Sequence, residues 1–238
     1  MINLIQRSFR TFITSFFSII FVVTLAACGG GDGGGGGGVG ADPPPTIDPD
    51  QSFSLSKFKS STVGTVYSTE LGGADSDGFV YGGSLSLANR AQIMLEGILV
   101  TPRDVILSIT DGGVTVVVTG TSYVDIGGNF ISFIIQTTGE ICVPVTPDQL
   151  PDSVMVGDFG ILSTLICNDD TMRERNWRVE DAGSGNINLI GNTVTKDLFN
   201  TLISFTDTTY TLDDGGNIVA YKGVVTHDSG YTLTLESL

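Results

Sequence analysis

The sequence predicts an all-β fold built mainly of antiparallel meanders, and three observations lead to that prediction. Polar and apolar residues alternate in several segments; in the last of them, Tyr231, Leu233 and Leu235 share one face. Glycine and aspartate turns separate these segments. Helical patterns are confined to two short stretches, 89–96 and 196–200. A period of two is typical of strands with one buried and one solvated face, so we expect little helix.

One pair of segments illustrates the hairpin signal. Val105–Ile109 and Val114–Val118 are rich in β-branched residues, and Asp111-Gly112-Gly113 lies between them. Such a turn between two β-rich runs predicts a hairpin. We expect the meanders to form a sandwich or two related β-lobes, 52–139 and 140–238. A closed up-and-down barrel is the alternative.

Two parts of the chain resemble each other and suggest an internal duplication. Thr121-Ser122-Tyr123 followed by Gly127-Gly128-Asn129 parallels Thr208-Thr209-Tyr210 followed by Gly215-Gly216-Asn217. One interpretation is two related lobes with a ligand at their junction. The other is that meanders share turn chemistry and a Thr/Tyr strand composition.

The N-terminal segment indicates that the protein is located at a membrane. The apolar run 11–27 ends in Leu25-Ala26-Ala27-Cys28, which resembles the lipobox of bacterial lipoproteins. The resemblance implies that residues 1–27 are a signal peptide and that Cys28 is lipidated, a stable anchor because two or more acyl chains are attached. Gly29 follows in place of the aspartate that retains such proteins in the inner membrane, which favours the outer membrane. An uncleaved anchor and an ordinary secretory signal are the alternatives.

A tether and a body follow Cys28. Residues 29–40 hold ten glycines, and residues 41–51 add Pro43-Pro44-Pro45 and three acids. So little apolar surface predicts a disordered tether over 28–51, with a span of roughly 25–30 Å. Residues 52–238 form the β-rich body.

The net charge argues against one class of partner, and the cysteine content predicts a disulfide. Without residues 1–27 the chain has 9 basic and 26 acidic residues, a net charge of −17, which argues against nucleic acid as a partner. Cys142 and Cys167 are the cysteines left once Cys28 is lipidated, and the cell envelope permits disulfides. We therefore predict a Cys142–Cys167 bond.

The body resembles uncharacterised, β-rich secreted or lipidated proteins of proteobacteria. The residues that carry the likeness are Asp75-Ser76-Asp77-Gly78 with Ser84-Leu85-Ser86-Leu87, then Val156-Gly157-Asp158 and Gly216-Asn217. The resemblance supports a β fold and implies no function.

Two clusters are candidate binding sites. Asp75 and Asp77, two residues apart beside a glycine, could supply oxygen ligands to calcium, although an aspartate that accepts hydrogen bonds in a turn is the commoner structure. Arg173, Arg175 and Trp177 would share one face of a strand and could bind a sugar ring or an anion. In the alternative, Trp177 lies in the core and the arginines pair with acids on an exposed edge.

No cofactor is predicted apart from that calcium, and no catalytic residue is identified. His227 and Asp228 are adjacent in an expected turn, where they could not form a catalytic relay. We therefore expect a noncatalytic, lipid-anchored envelope protein that binds or scaffolds an unidentified partner. A secreted hydrolase-like enzyme and a lipocalin-type carrier of an apolar ligand are the alternatives.

Overall fold

The computed structural model describes residues 51–59, 62–64, 66–146, 148 and 150–238. No helix among these residues is long and apolar enough to cross a membrane. They form fifteen strands, numbered here in chain order: β1 Phe53–Ser54, β2 Val66–Asp75, β3 Val80–Asn89, β4 Ile93–Leu95, β5 Ile98–Asp111, β6 Val114–Asp125, β7 Phe130–Ile135, β8 Glu140–Pro144, β9 Ser153–Val154, β10 Phe159–Cys167, β11 Thr171–Gly183, β12 Asn186–Asp197, β13 Leu202–Leu212, β14 Ile218–His227 and β15 Thr232–Ser237.

Twelve of the strands close into one antiparallel barrel. Sequential hairpins join β5 through β8, and β10 through β15 continue the wall after β8 pairs with β10. Strand β15 then pairs with β2, β2 with β3, and β3 with β5, which leaves the wall without an open edge. The small β4 extends the β5 hairpin, and β1 pairs with β9 as a separate two-stranded sheet.

The all-β, antiparallel prediction is confirmed, and the closed barrel is the arrangement observed in place of the sandwich or the two lobes. The segments 52–139 and 140–238 contribute strands to the same wall, joined where β7 pairs with β8. Full closure removes the exposed edges that a sandwich retains. Neither stretch with a helical pattern is a helix. Residues 89–96 form the end of β3, the short β4 and the start of a turn, and residues 196–200 form the end of β12 and its turn to β13.

The barrel has two different ends. The turn end carries six short hairpin connections, at 75–80, 111–114, 135–140, 167–171, 197–202 and 227–232. The plug end, opposite, carries the long connection between β8 and β10. The segment 51–59 lies across the plug end: Phe53 pairs with Val154, and the Leu55 amide donates to the Asp152 carbonyl at 2.8 Å.

Apolar side chains fill much of the barrel interior. Leu85, Leu107, Val118, Phe133 and Leu233 are at most 1% exposed and belong to one continuous core. Leu233 and Leu235 both point inward, as the C-terminal alternation predicts.

Glycines make room in this interior for large side chains. Gly160 and Gly191 flank Trp177 on the neighbouring strands, and a Cβ at Gly160 would come within 2.6 Å of the indole Nε1 of Trp177. Alternation of small and large residues is how small barrels fit their taper.

The segment 51–59 is a plug that seals its end of the barrel. Phe53, Leu55 and Phe58 are at most 1% exposed, and the ring of Phe58 meets that of Tyr210 edge-on at 5.5 Å. Burial of three large apolar side chains stabilises this closure by several kcal/mol, at about 1.5–3 kcal/mol for each.

Candidate functional sites

Strand β11 presents Arg173, Arg175 and Trp177 on one face, as its alternation predicts, but that face points into the barrel. The three side chains are 2%, 3% and 7% exposed. Because β11 lies between β10 and β12, these residues form neither an exposed platform nor an exposed edge. Their ligand-binding role remains a prediction, and any ligand would have to enter the barrel.

Each of these two arginines pairs with a buried acid. The Arg173 Nη2 donates to Oε1 of Glu140, and the Arg175 Nη2 donates to Oδ2 of Asp148 at 2.5 Å. Burial raises the pKa of the Glu140 carboxyl, against the attraction of Arg173. Within the described part of the chain, the buried acids are Glu140 and Asp148. Each of these carboxylates is therefore half of an ion pair with an arginine.

Arg175 is also held by backbone and aromatic groups. Its Nε and Nη2 donate to the Ser163 carbonyl at 3.0 and 2.9 Å, and its guanidinium carbon lies 5.2 Å from the centre of the Phe130 ring. The Ser163 amide donates to the Oδ1 of Asp148 at 2.6 Å and so fixes the partner acid. These contacts hold Arg175 in one orientation, which is the usual condition for a buried ion pair.

Hydroxyl-bearing side chains line the interior beside the arginines. Thr193 lies between Arg175 and Thr206 in register, and Thr195 lies between Arg173 and Ser204. Thr193, Ser204 and Thr206 are fully buried, and their hydroxyls have no partner among the described residues. Buried polar groups are generally hydrogen-bonded to protein or water, so this wall suits a small polar guest or ordered water.

A third arginine lies in the interior of a different part of the wall. Arg103 on β5 is 1% exposed, and its Nε donates to Oδ1 of Asn89 at 2.7 Å. Burial lowers the pKa of Arg103 to about 9, although the nearby Tyr210 hydroxyl opposes that shift. The barrel thus encloses three cationic side chains in a strongly acidic chain, and no sequence pattern predicted Arg103 to be interior.

The candidate calcium residues lie in the β2–β3 turn at the turn end. The Asp75 Oδ1 accepts from the amides of Asp77 and Phe79 at 3.0 and 2.9 Å. Its Oδ2 accepts from the hydroxyls of Tyr81 and Tyr231 at 2.7 and 2.6 Å. A cation at this turn would compete with four protein donors for Asp75, and calcium binding remains a prediction without geometric support here.

Burial and these hydrogen bonds shift the pKa values of Asp75, Tyr81 and Tyr231. Burial alone would raise the pKa of Asp75, but the four hydrogen bonds outweigh it and hold the pKa below its ordinary value. Burial raises the pKa of Tyr81 to about 12, and burial together with Asp75 raises that of Tyr231. Both phenols therefore stay protonated and donate at neutral pH.

The same turn chemistry recurs in the hairpins that begin at Asp125, Asp197 and Asp213. In each, the aspartate side chain accepts from the amide four residues later, at 2.8 Å. In each, the residue at the fourth position has a positive φ, between 65° and 77°. The duplicated Gly-Gly-Asn motifs are two of these turns, so shared turn chemistry accounts for the resemblance inside the chain.

His227 occupies the first position of a fifth turn of this kind. Its amide donates to the Tyr231 carbonyl at 2.8 Å, and its Nδ1 contacts the carboxylate of Asp228. The Ser229 hydroxyl lies 3.4 Å from the same Nδ1. A catalytic relay needs the acid on one ring nitrogen and the nucleophile on the other, and here both contact Nδ1.

The cysteine prediction is confirmed: Cys142 on β8 and Cys167 on β10 form a disulfide inside the barrel. The predicted signal peptide 1–27, the lipidation site Cys28 and the tether up to residue 50 lie outside the described residues. They remain predictions.

Comparison with known proteins adds little. No family model matches this chain, and no curated protein matches it. Among solved structures, the chain matches a porin-like protein from Bacteroides uniformis at 13% identity and a TM-score of 0.22, over 72% of this chain and 95% of that one. A TM-score that low carries no argument, so the barrel stands on its strand pairing alone.

Proposed function

We propose that this protein is a noncatalytic module of the bacterial cell envelope, held at the membrane by lipid on Cys28 and presenting a closed, filled barrel to a binding partner. The proposal combines the lipobox with the character of the outer wall. On strands β11 to β13, the outward positions at mid-height form a polar row that is paired in register: Asn176 is exposed, Asp207 is half-buried, and Asn192 between them is 8% exposed. The Asn192 Nδ2 donates to the Asp207 Oδ1 at 2.8 Å.

This row carries the proposal. Barrels that cross a membrane present an apolar band about 25 Å tall to the lipid, and a carboxylate at the middle of that band is strongly disfavoured. Ion pairs between Glu174 and Lys196, and between Lys222 and Glu236, add four more outward charges. The outward face of β5, β6, β8 and β10 is more apolar, with Ile106, Val117, Ile141, Val143 and Ile166 exposed. The polar and charged part of the wall does not fit a lipid-facing band, and acyl chains on Cys28 would supply another means of attachment.

The arrangement of acids argues against the hydrolase alternative. A general acid or base requires a carboxyl that is poised and free to exchange a proton. Glu140 and Asp148 are each engaged by an arginine, and the Asp75 carboxylate is engaged by four donors. None of these carboxyls is poised for acid–base chemistry.

The filled interior argues against a carrier of large apolar ligands, because core side chains and the plug occupy the space such a ligand needs. A carrier of a small polar ligand is a second candidate, favoured by the buried hydroxyls of Thr193, Ser204 and Thr206 beside the arginines. Inorganic phosphate and a panel of monosaccharides would test it. A rise in melting temperature that disappears in the Thr206→Val variant supports this candidate.

The main proposal is tested by fractionating cells that produce the wild type, a Cys28→Ser variant, and a second Cys28→Ser variant in which an ordinary cleavable secretory signal replaces residues 1–27. The last variant excludes retention by an uncleaved precursor. We expect the wild type in the membrane fraction and the last variant in the soluble envelope fraction. A processed variant that stays in carbonate-washed membranes would indicate a membrane-spanning barrel and contradict the proposal.

A further inference from the structure

Exposed apolar side chains gather along one arc of the plug end. They come from the β4–β5 hairpin, the β6–β7 turn, the chain after β8 and the start of β10. Their exposures run from 45% to 89% of the free side chain, and we call this set the plug-end rim: Met94, Ile98, Ile126, Val145, Phe159 and Ile161.

The rim is continuous because the strands that carry it are neighbours. The wall runs β4, β5, β6, β7, β8, β10 without interruption. Elsewhere on the plug end, the β11–β12 and β13–β14 turns expose Asp181, Ser184 and Asp214 instead. The plug-end rim therefore covers one side of that end, where clustered apolar side chains favour an interaction surface. The turn end also exposes apolar side chains, at Phe79, Val80, Val114, Leu198, Phe199 and Leu202, so the position of the anchor decides which end meets a membrane.

The path of the chain places the rim at the end of the barrel nearest to the predicted anchor. The described chain begins at Gln51, beside the plug strand β1, and therefore at the same end as the rim. Only 22 residues, positions 29 to 50, separate Gln51 from Cys28, and their composition predicts a span of roughly 25–30 Å. If Cys28 is lipidated, the plug end is the end of the barrel tied closest to the bilayer.

We propose that the plug-end rim seats in the interface of the bilayer that holds Cys28, so that the barrel is docked with its turn end facing away from the membrane. This inference rests on the proposed lipid anchor. Aromatic and aliphatic side chains enter the headgroup boundary to a depth of about 5–10 Å. The acidic chain is not attracted to anionic lipids, so the contact is apolar and insensitive to salt.

Tryptophan reporters at the two ends test the docking. Phe159→Trp places an indole on the rim, and Phe199→Trp places one on an equally exposed site at the turn end, where Phe199 is 90% exposed. Trp177, the one natural tryptophan, lies inside the barrel and provides a constant background. The lipidated proteins would be reconstituted in phosphatidylethanolamine–phosphatidylcholine vesicles that contain brominated phosphatidylcholine.

We expect bromine to quench the Phe159→Trp emission by about half or more, in low and in high salt, and to leave the Phe199→Trp emission unchanged. Protein that floats with the vesicles while neither reporter is quenched would overturn the docking and leave the lipid anchor intact. Protein that fails to float would refute the anchor, and the docking with it. A dimer by light scattering that an Ile161→Ser substitution dissociates would assign the rim to a second copy and also overturn the proposal.

Discussion

At the turn end of the barrel, the Asp75 carboxylate holds the β2–β3 hairpin by hydrogen bonds. At the plug end, Asp125 and Asp213 hold hairpins in the same way, and a separate apolar segment also covers the opening. Asp75 at the turn end binds two backbone amides and two tyrosine hydroxyls. Phe53, Leu55 and Phe58 at the plug end bury their side chains almost completely. Because Tyr231 lies far from Asp75 in the sequence, both ends depend on contacts between distant parts of the chain, and the plug adds buried apolar surface to one of them.

The two ends also differ in their relation to the rest of the protein. The plug joins two hairpin turns, since Lys57 donates to Oδ1 of Asn217 at 3.4 Å and Lys59 packs beside Gly128. At Gly216 the plug comes so close that a Cβ would lie 2.5 Å from the Ser54 carbonyl oxygen. These contacts fix the plug to the β6–β7 and β13–β14 turns at its end of the barrel.

The largest effect is expected from the plug itself. Phe58→Ala removes a fully buried ring that packs edge-on against Tyr210, and we expect it to lower the free energy of unfolding by about 4 kcal/mol in urea denaturation. Phe199→Ala at the turn end is the matched control and should change stability by less than about 0.5 kcal/mol. Equal effects would mean that the plug is dispensable for the fold.

Breaking the interior ion pair near the turn end should have the next largest effect. Arg173→Met leaves Glu140 buried without its cation and should lower the free energy of unfolding by about 3 kcal/mol. Arg173→Met combined with Glu140→Met should recover most of that loss, because both charges are then gone. If the double variant is as unstable as the single one, the pair does not explain the stability of this part of the interior.

The Asp75 turn should contribute a smaller, pH-dependent effect. Its hydrogen bonds hold the folded pKa of Asp75 below the ordinary value, so the stabilisation is present above about pH 4 and is lost as the pH falls through the folded pKa. Asp75→Asn should lower the free energy of unfolding by about 1–2 kcal/mol at pH 7 and have little effect near pH 2.

Asp77→Asn is the control for that turn, because Asp77 is exposed and contributes its backbone amide rather than its side chain to the Asp75 hydrogen bonds. A stability change within about 0.5 kcal/mol is expected. If calcium raised the melting temperature of the wild type and of neither variant, the metal prediction for Asp75 and Asp77 would be restored.

The smallest effect is expected from the hydroxyl wall. Thr193→Val with Thr206→Val removes two buried hydroxyls that have no partner among the described residues, so the melting temperature should stay the same or rise slightly. A loss of more than about 1 kcal/mol would show that these hydroxyls are hydrogen-bonded to ordered water or to a guest.

Local features of the fold could be predicted from the sequence and its closure could not. Alternation correctly identified β15 and its inner face at Leu233 and Leu235, whereas Tyr231 precedes the strand. The turn after Asp111 correctly identified the β5–β6 hairpin. The contact that closes the barrel, between β2 and β15, joins residues far apart in sequence, and period-two alternation is the same in a sandwich and in a barrel.

The burial of Arg173 and Arg175 could not be predicted from the alternation pattern either. In β11 the inward residues Arg173 and Arg175 alternate with the outward residues Glu174 and Asn176, so polarity does not distinguish the two faces. Their partners Glu140 and Asp148 lie about 30 residues earlier, on β8 and on the connection after it, with no motif to mark them. The apolar residues Trp177 and Val179, on the same face, are the ones whose type favours burial of that face.

The most direct test of the account is the intact mass of the protein purified from membranes, followed by the mass of its N-terminal peptide. We predict a chain that begins at Cys28 and carries a diacylglycerol, with or without a further acyl chain on the amine. A chain that begins at any other residue, or a Cys28 without lipid, would contradict the membrane anchor on which both proposals depend.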